Sequence, residues 1–123
     1  MFTLSSSHKF LLYSQPTDMR KSFDGLSGLV ENHLEGNPRS GEVYLFINKR
    51  RDRIKLLHWQ GSGYTLYYKR LESGTFELPA YDSDYSSISL NYSQTVMLID
   101  GISIKNIQRR RRYNSPAIVD IPG

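Results

Sequence analysis

Two runs of alternating side chains, EVYLFIN and RIKLLHW, flank the short polar segment Lys49 to Asp52, and this pattern constrains the fold more than any other feature. Successive side chains of an extended chain point to opposite faces, so Val43, Leu45 and Ile47 share one face. A turn over Lys49 to Asp52 brings Ile54 and Leu56 onto that same face, predicting a hairpin with an apolar core side. The opposite face then collects Tyr44, Phe46, Arg53, Lys55, Leu57 and Trp59, with Arg50 and Arg51 at the tip. After Gly61, Ser62 and Gly63, the run YTLYYKR returns as a third strand bearing Lys69 and Arg70. Its register stays open, because a slip of one residue exchanges the faces of every side chain.

The flanking segments complete an α+β pattern. KFLLY, Lys9 to Tyr13, reads as a short strand. Met19, Phe23, Leu26, Val30 and Leu34 recur at helical spacing, predicting a helix from Met19 to Leu34 capped by Thr17 or Asp18 and stopped at Gly36. This helix is expected to pack on the face bearing Val43, Leu45, Ile47, Ile54 and Leu56, with Gly25 and Gly28 making close backbone contact with the sheet. FELPAY and DSDYSSISL read as loop. Asn91 and Gln94 have capping-box spacing ahead of Gly101, predicting a helix from Tyr92 to Asp100, although the apolar TVMLI also suits a strand. The expected architecture is a single α+β domain over 1–108. It comprises an antiparallel sheet with a central three-stranded meander, a helix packed on one face, and a basic, flexible C-terminal arm over 109–123.

Charge distribution points to function more than its total does. The net charge of +4 in 123 residues is modest, but Lys49, Arg50, Arg51, Arg53 and Lys55 form one cluster. Lys105 and the run Arg109, Arg110, Arg111 and Arg112 form another. Localised cations interleaved with Trp59 and the strand tyrosines suit phosphate contact plus stacking on bases or sugars. The candidate nucleic-acid set is therefore Lys49, Arg50, Arg51, Arg53, Lys55, Trp59, Lys69, Arg70, Arg109, Arg110, Arg111 and Arg112. The competing interpretation is structural: a solvated hairpin face, or one covered by a helix that buries its rings.

Other classes lack their signatures. Cysteine is absent, which removes disulfides and thiolate chemistry. No apolar run approaches the ~20 residues of a membrane span and the N-terminus lacks a signal-peptide pattern, so a cytoplasmic protein is expected. His8, His33 and His58 show no metal spacing, and Asp82 and Asp84 lack the remaining ligands of a calcium loop. Asp18, Asp24, Asp52 and Glu72 form no two-metal signature, while Tyr64, Tyr67, Tyr68 and Tyr113 lack the base or metal that strand cleavage needs. A non-enzyme without a cofactor is expected.

Four segments carry a resemblance over nearly the whole chain: PTDMRKSFDGL, FINKRRDRIKLLHW, GYTLYYKRLESGTF, and DGISIKN before the basic run. They resemble the TnpB-type accessory protein, the second open reading frame product of the insertion-sequence-sixty-six transposon family. The match takes in Pro16, Thr17, Asp18, Met19, Arg20, Phe23, Gly25 and Leu26. It continues through Asn48, Arg50, Lys55 and Trp59, then Gly63, Lys69, Arg70, Leu71, Gly74 and Phe76. Gln60 stands where an acid is usual, and Leu78 where an aromatic often precedes the proline. The resemblance implies a supporting role in bacterial transposition beside a separate DDE-type transposase and a second small accessory protein. DNA at the transposon ends is the expected partner; the alternative is an assembly adaptor that docks on the transposase without touching DNA.

Overall fold

The computed structural model describes residues 4–82 and 84–101. Among these, five strands form one sheet: β1 (Phe10–Tyr13), β2 (Val43–Ile47), β3 (Arg53–Gln60), β4 (Gly63–Arg70) and β5 (Ser87–Leu90). Two helices accompany it, α1 (Phe23–His33) and α2 (Tyr92–Asp100). The strand order is β4-β3-β2-β1-β5. The central meander is antiparallel as expected, with Leu45 opposite Leu56 and Ile47 opposite Ile54. β1 departs from the antiparallel expectation by pairing with β2 in parallel, since α1 lies between them in the chain and returns it to the same end of the sheet. β5 falls within a segment expected to be loop, and completes the edge beside β1.

The β4 register is now defined: Gln60 pairs with Gly63 and Arg53 with Arg70. Gly61 begins the intervening two-residue turn at φ 68°, a conformation that glycine adopts without steric cost.

Helix α1 corrects the expected packing. Val43, Leu45, Ile47, Ile54 and Leu56 are buried, but with Phe10, Leu12, Phe76, Leu90 and Leu98, the last of these from α2. Leu26 and Val30 of α1 instead pack with Tyr44, Phe46 and Leu57 on the opposite face. Both faces are therefore covered, and each fully buried Leu or Phe contributes about 1.5–3 kcal/mol. Period-two alternation separates two faces, but β2 is apolar on both, so alternation could not say which face α1 would choose.

The start of α1 is also later than expected. Its N-cap is Ser22, whose side chain makes no capping bond; Asp18 instead closes a turn by accepting from the Arg20 amide at 2.9 Å. At the other end, the Gly36 amide donates to Val30 O. A Cβ on Gly36 would lie 2.8 Å from the Tyr44 hydroxyl, so any larger residue there would displace that buried side chain. The expected close contacts of Gly25 and Gly28 with the sheet are not found. A Cβ at Gly25 would meet the Lys21 stem, and one at Gly28 would meet nothing within 4 Å. Helix α2 matches its expected bounds, with the Asn91–Gln94 capping box formed and Gly101 in the left-handed conformation at φ 79°.

Candidate nucleic-acid interface

The β2–β3 tip is organised by one side chain. Asn48 Oδ1 accepts from the amides of Asp52 and Arg53, both at 3.0 Å, and its Nδ2 donates to Asp52 Oδ1 at 2.7 Å. That bond, before the charges of Arg50 and Arg53, holds the Asp52 carboxyl below its usual range. The segment after β4 braces the tip from behind: the Phe76 amide donates to Arg51 O at 2.7 Å and the Leu71 amide to Asp52 O at 2.8 Å. Arg51 is thereby held at φ 61°, a conformation that costs a side-chain-bearing residue about 1–2 kcal/mol.

Lys49, Arg50 and Arg51 are exposed at this tip, and among the described residues their side chains make no hydrogen bond or ion pair. Beside them a groove of about 360 Å³ separates the tip from the loop before α1, lined among others by Thr17, Asp18, Met19, Lys49, Arg50 and Arg53. Asp18 is engaged there by Arg20, whose Nη2 lies 2.6 Å from Oδ2. That side-chain bond is the leading cause lowering the Asp18 pKa to about 2. Thr17 is buried and its hydroxyl has no hydrogen-bond partner among the described residues.

The remaining candidates divide. Arg53 is half-buried, with Nη1 donating to the Tyr68 hydroxyl at 3.2 Å. Arg70, directly opposite it, is exposed and pairs with Glu72 at 2.9 Å. Lys55 does not belong to an open basic face: it is only 5% exposed. Its ammonium donates to Met19 O at 2.8 Å and Lys21 O at 2.6 Å. These carbonyls are engaged outside the α1 ladder, one reason that the helix starts late. Lys69 lies on the α2 side and donates to Ile99 O at 2.8 Å, neutralising the carbonyl end of that helix. Trp59 sits at the other end of β3 from the tip, about 20 Å along the strand. It packs edge-on to Tyr64 at 4.9 Å, with the Arg39 guanidinium 4.7 Å from its ring. Tyr44 and Phe46, which the sequence placed on the basic face, are buried under α1. Arg109, Arg110, Arg111 and Arg112, with the whole arm over 109–123, lie outside the described residues.

The structure thus brings Lys49, Arg50, Arg51, Arg53 and Arg70 to one end of the sheet, but Lys55 there is buried, Lys69 is turned to the α2 face and Trp59 lies at the far end of β3. The candidate set left out Tyr68, which stands opposite Lys55 and is joined to Arg53; the β4 register would have singled it out among the strand tyrosines, but the glycine turn left that open. Among the described residues no helix is long and apolar enough to cross a membrane, and no group of three or more histidine and carboxylate side chains is placed to hold a metal ion.

Comparison with known proteins agrees with the sequence resemblance. Two curated relatives come from Sinorhizobium fredii (strain NBRC 101917 / NGR234). Uncharacterized protein y4jC is 30% identical over 102 residues, covering 83% of this chain and 86% of the relative. Uncharacterized protein y4hO is 30% identical over 96 residues, covering 78% and 82%. No solved structure matches the chain. The family described as IS66 Orf2 like protein matches residues 8–109, and the chain belongs to that family of transposition accessory proteins.

Proposed function

We propose that this protein is a non-catalytic accessory factor that holds duplex DNA at transposon ends with the β2–β3 tip, assisted by the arginine run Arg109 to Arg112. It would act beside a separate DDE-type transposase and a second small accessory protein. The observation that carries this reading is Arg51. It occupies a left-handed position at the tip, where glycine or asparagine would be less strained, next to the exposed Lys49 and Arg50 and on a backbone braced by Phe76. Backbone strain retained at an exposed cationic position is characteristic of binding sites. An adaptor would dock through exposed aromatic side chains, and Tyr44 and Phe46 are buried under α1.

The test is a salt titration on transposon-end duplex. Each phosphate contact releases about 0.9 counterion, so the double variant Arg50→Ala/Arg51→Ala should flatten the log-affinity against log-salt slope by roughly 2 for all sequences alike. Both sites are exposed turn positions, so the urea midpoint should change little. Trp59→Ala, far from the tip, should leave the slope intact. An unchanged slope in the folded double variant, with loss of transposase binding, would transfer the function to the adaptor. The same preparation supplied with Mg²⁺ or Mn²⁺ is expected neither to nick nor to join DNA; cleavage abolished by one aspartate or tyrosine substitution would overturn the non-catalytic reading.

A further inference from the structure

β4 is an edge strand, and Tyr68 stands on it directly opposite Lys55. The Lys55 ammonium lies 4.6 Å from the centre of the Tyr68 ring, and Arg53 Nη1 donates to its hydroxyl at 3.2 Å. The ring is therefore held in orientation by two cations, yet Tyr68 is 48% exposed. Lys55 cannot serve an incoming anion, because Met19 O and Lys21 O already take its ammonium. Its role here is to hold the ring.

Two pairs nearer the tip, Arg53 and Arg70 stand opposite each other across the strands, on the same face as Tyr68. Like charges directly opposite destabilise a sheet. Arg70 pairs with Glu72 at 2.9 Å, and solvent screens that pair as it screens the repulsion. An anion between the two guanidinium groups would relieve the repulsion, and phosphate matches their planar donor forks. A phosphate position beside a half-exposed ring has the chemistry of a nucleotide site.

We propose that Tyr68, Arg53 and Arg70 bind one unpaired nucleotide of a DNA strand, its base stacked on the exposed part of the Tyr68 ring and its phosphate between the two guanidinium groups. The proposal rests on the reading of the tip as a DNA-contacting surface and specifies what that surface selects. A base within a duplex has both faces covered by its neighbours, whereas an unpaired or frayed base offers a free face to an aromatic ring. The site lies at the same end of the sheet as Lys49, Arg50 and Arg51, so one DNA end can engage both.

The full-length protein is titrated with a duplex, the same duplex carrying a short unpaired thymidine extension, and a thymidine single strand. The extension should tighten binding. Tyr68→Leu should weaken binding to the extended and single-stranded probes by roughly tenfold while leaving duplex affinity and its salt slope unchanged, and Tyr68→Phe, which keeps the ring but loses the Arg53 bond, should lose much less than Tyr68→Leu. Arg70→Ala should flatten the single-strand salt slope by about 0.7. If the extension adds nothing and Tyr68→Leu binds every probe like the wild type, the nucleotide site is wrong while duplex binding by the tip stands. Equal losses on all probes with a lowered urea midpoint would make Tyr68 a structural residue and also overturn it. Failure of the wild type to bind any probe would remove both readings.

Discussion

Lys55 shows how one side chain decides between a binding and a structural role. It sits in a basic cluster, but its ammonium satisfies two carbonyls of the loop before α1 and lies against Tyr68. Replacing it with methionine keeps the stem and leaves those carbonyls without their donor, at a cost of about 1–3 kcal/mol for a buried unsatisfied group. Lys55→Met should therefore lower the urea-derived stability by about 2 kcal/mol or more; full stability in the variant would refute its anchoring role. Arg51 should behave in the opposite way. With its φ of 61°, Arg51→Gly relieves side-chain strain at some cost in chain entropy, for a net gain of about 0.5–1 kcal/mol. The same change should weaken DNA binding, and a variant that is more stable yet binds DNA normally would separate the strain from function.

At the scale of elements, the two helices were legible to different degrees. For α2 the signals are local: Asn91 accepts from the Gln94 amide at 2.8 Å and Gly101 closes the other end, so spacing predicted both bounds of the helix, although TVMLI also suited a strand. The apolar periodicity from Met19 to Leu34 was real, but Met19 packs from a loop that Lys55 holds outside the helix. No local rule contains a contact to a lysine 36 positions away. β5 was missed because its serine-rich run acquires strand character only by pairing with β1. Within α1, Gly28 has open space where a Cβ would stand. Gly28→Ala should accordingly stabilise the protein by about 1 kcal/mol, read as a raised urea midpoint. No gain would mean that Gly28 serves an unseen contact.

At the scale of the whole molecule, the described residues form a sheet covered on both sides, and the pH response follows from what that covering buries. His58 is 4% exposed, and its Nε2 donates to Gly41 O at 3.1 Å. Burial first, then the neighbouring His8, push its pKa below the ordinary value against the opposing effect of the Gly41 carbonyl. The unfolded chain then binds the proton more readily, so stability is full above about pH 6.5 and declines as pH falls toward the lowered folded pKa. The urea midpoint should drop as pH falls below about 6.5, and His58→Gln, which can still donate to Gly41 O, should flatten that drop. Asp18, with its pKa lowered to about 2, acts in a separate window: its contribution is present above the ordinary carboxyl value and is lost toward pH 2. The sequence by itself determined the antiparallel pairing of β2 with β3, the position of their cationic tip, both ends of α2 and the family, because each depends on residues adjacent in the chain or on ordered motifs. Tertiary structure alone decided which face α1 covers, the register of β4, the burial of Lys55 and the placement of Tyr68 beside Arg53. Those outcomes depend on distant segments competing for the same apolar surface and the same hydrogen-bonding groups, a competition that no local pattern records.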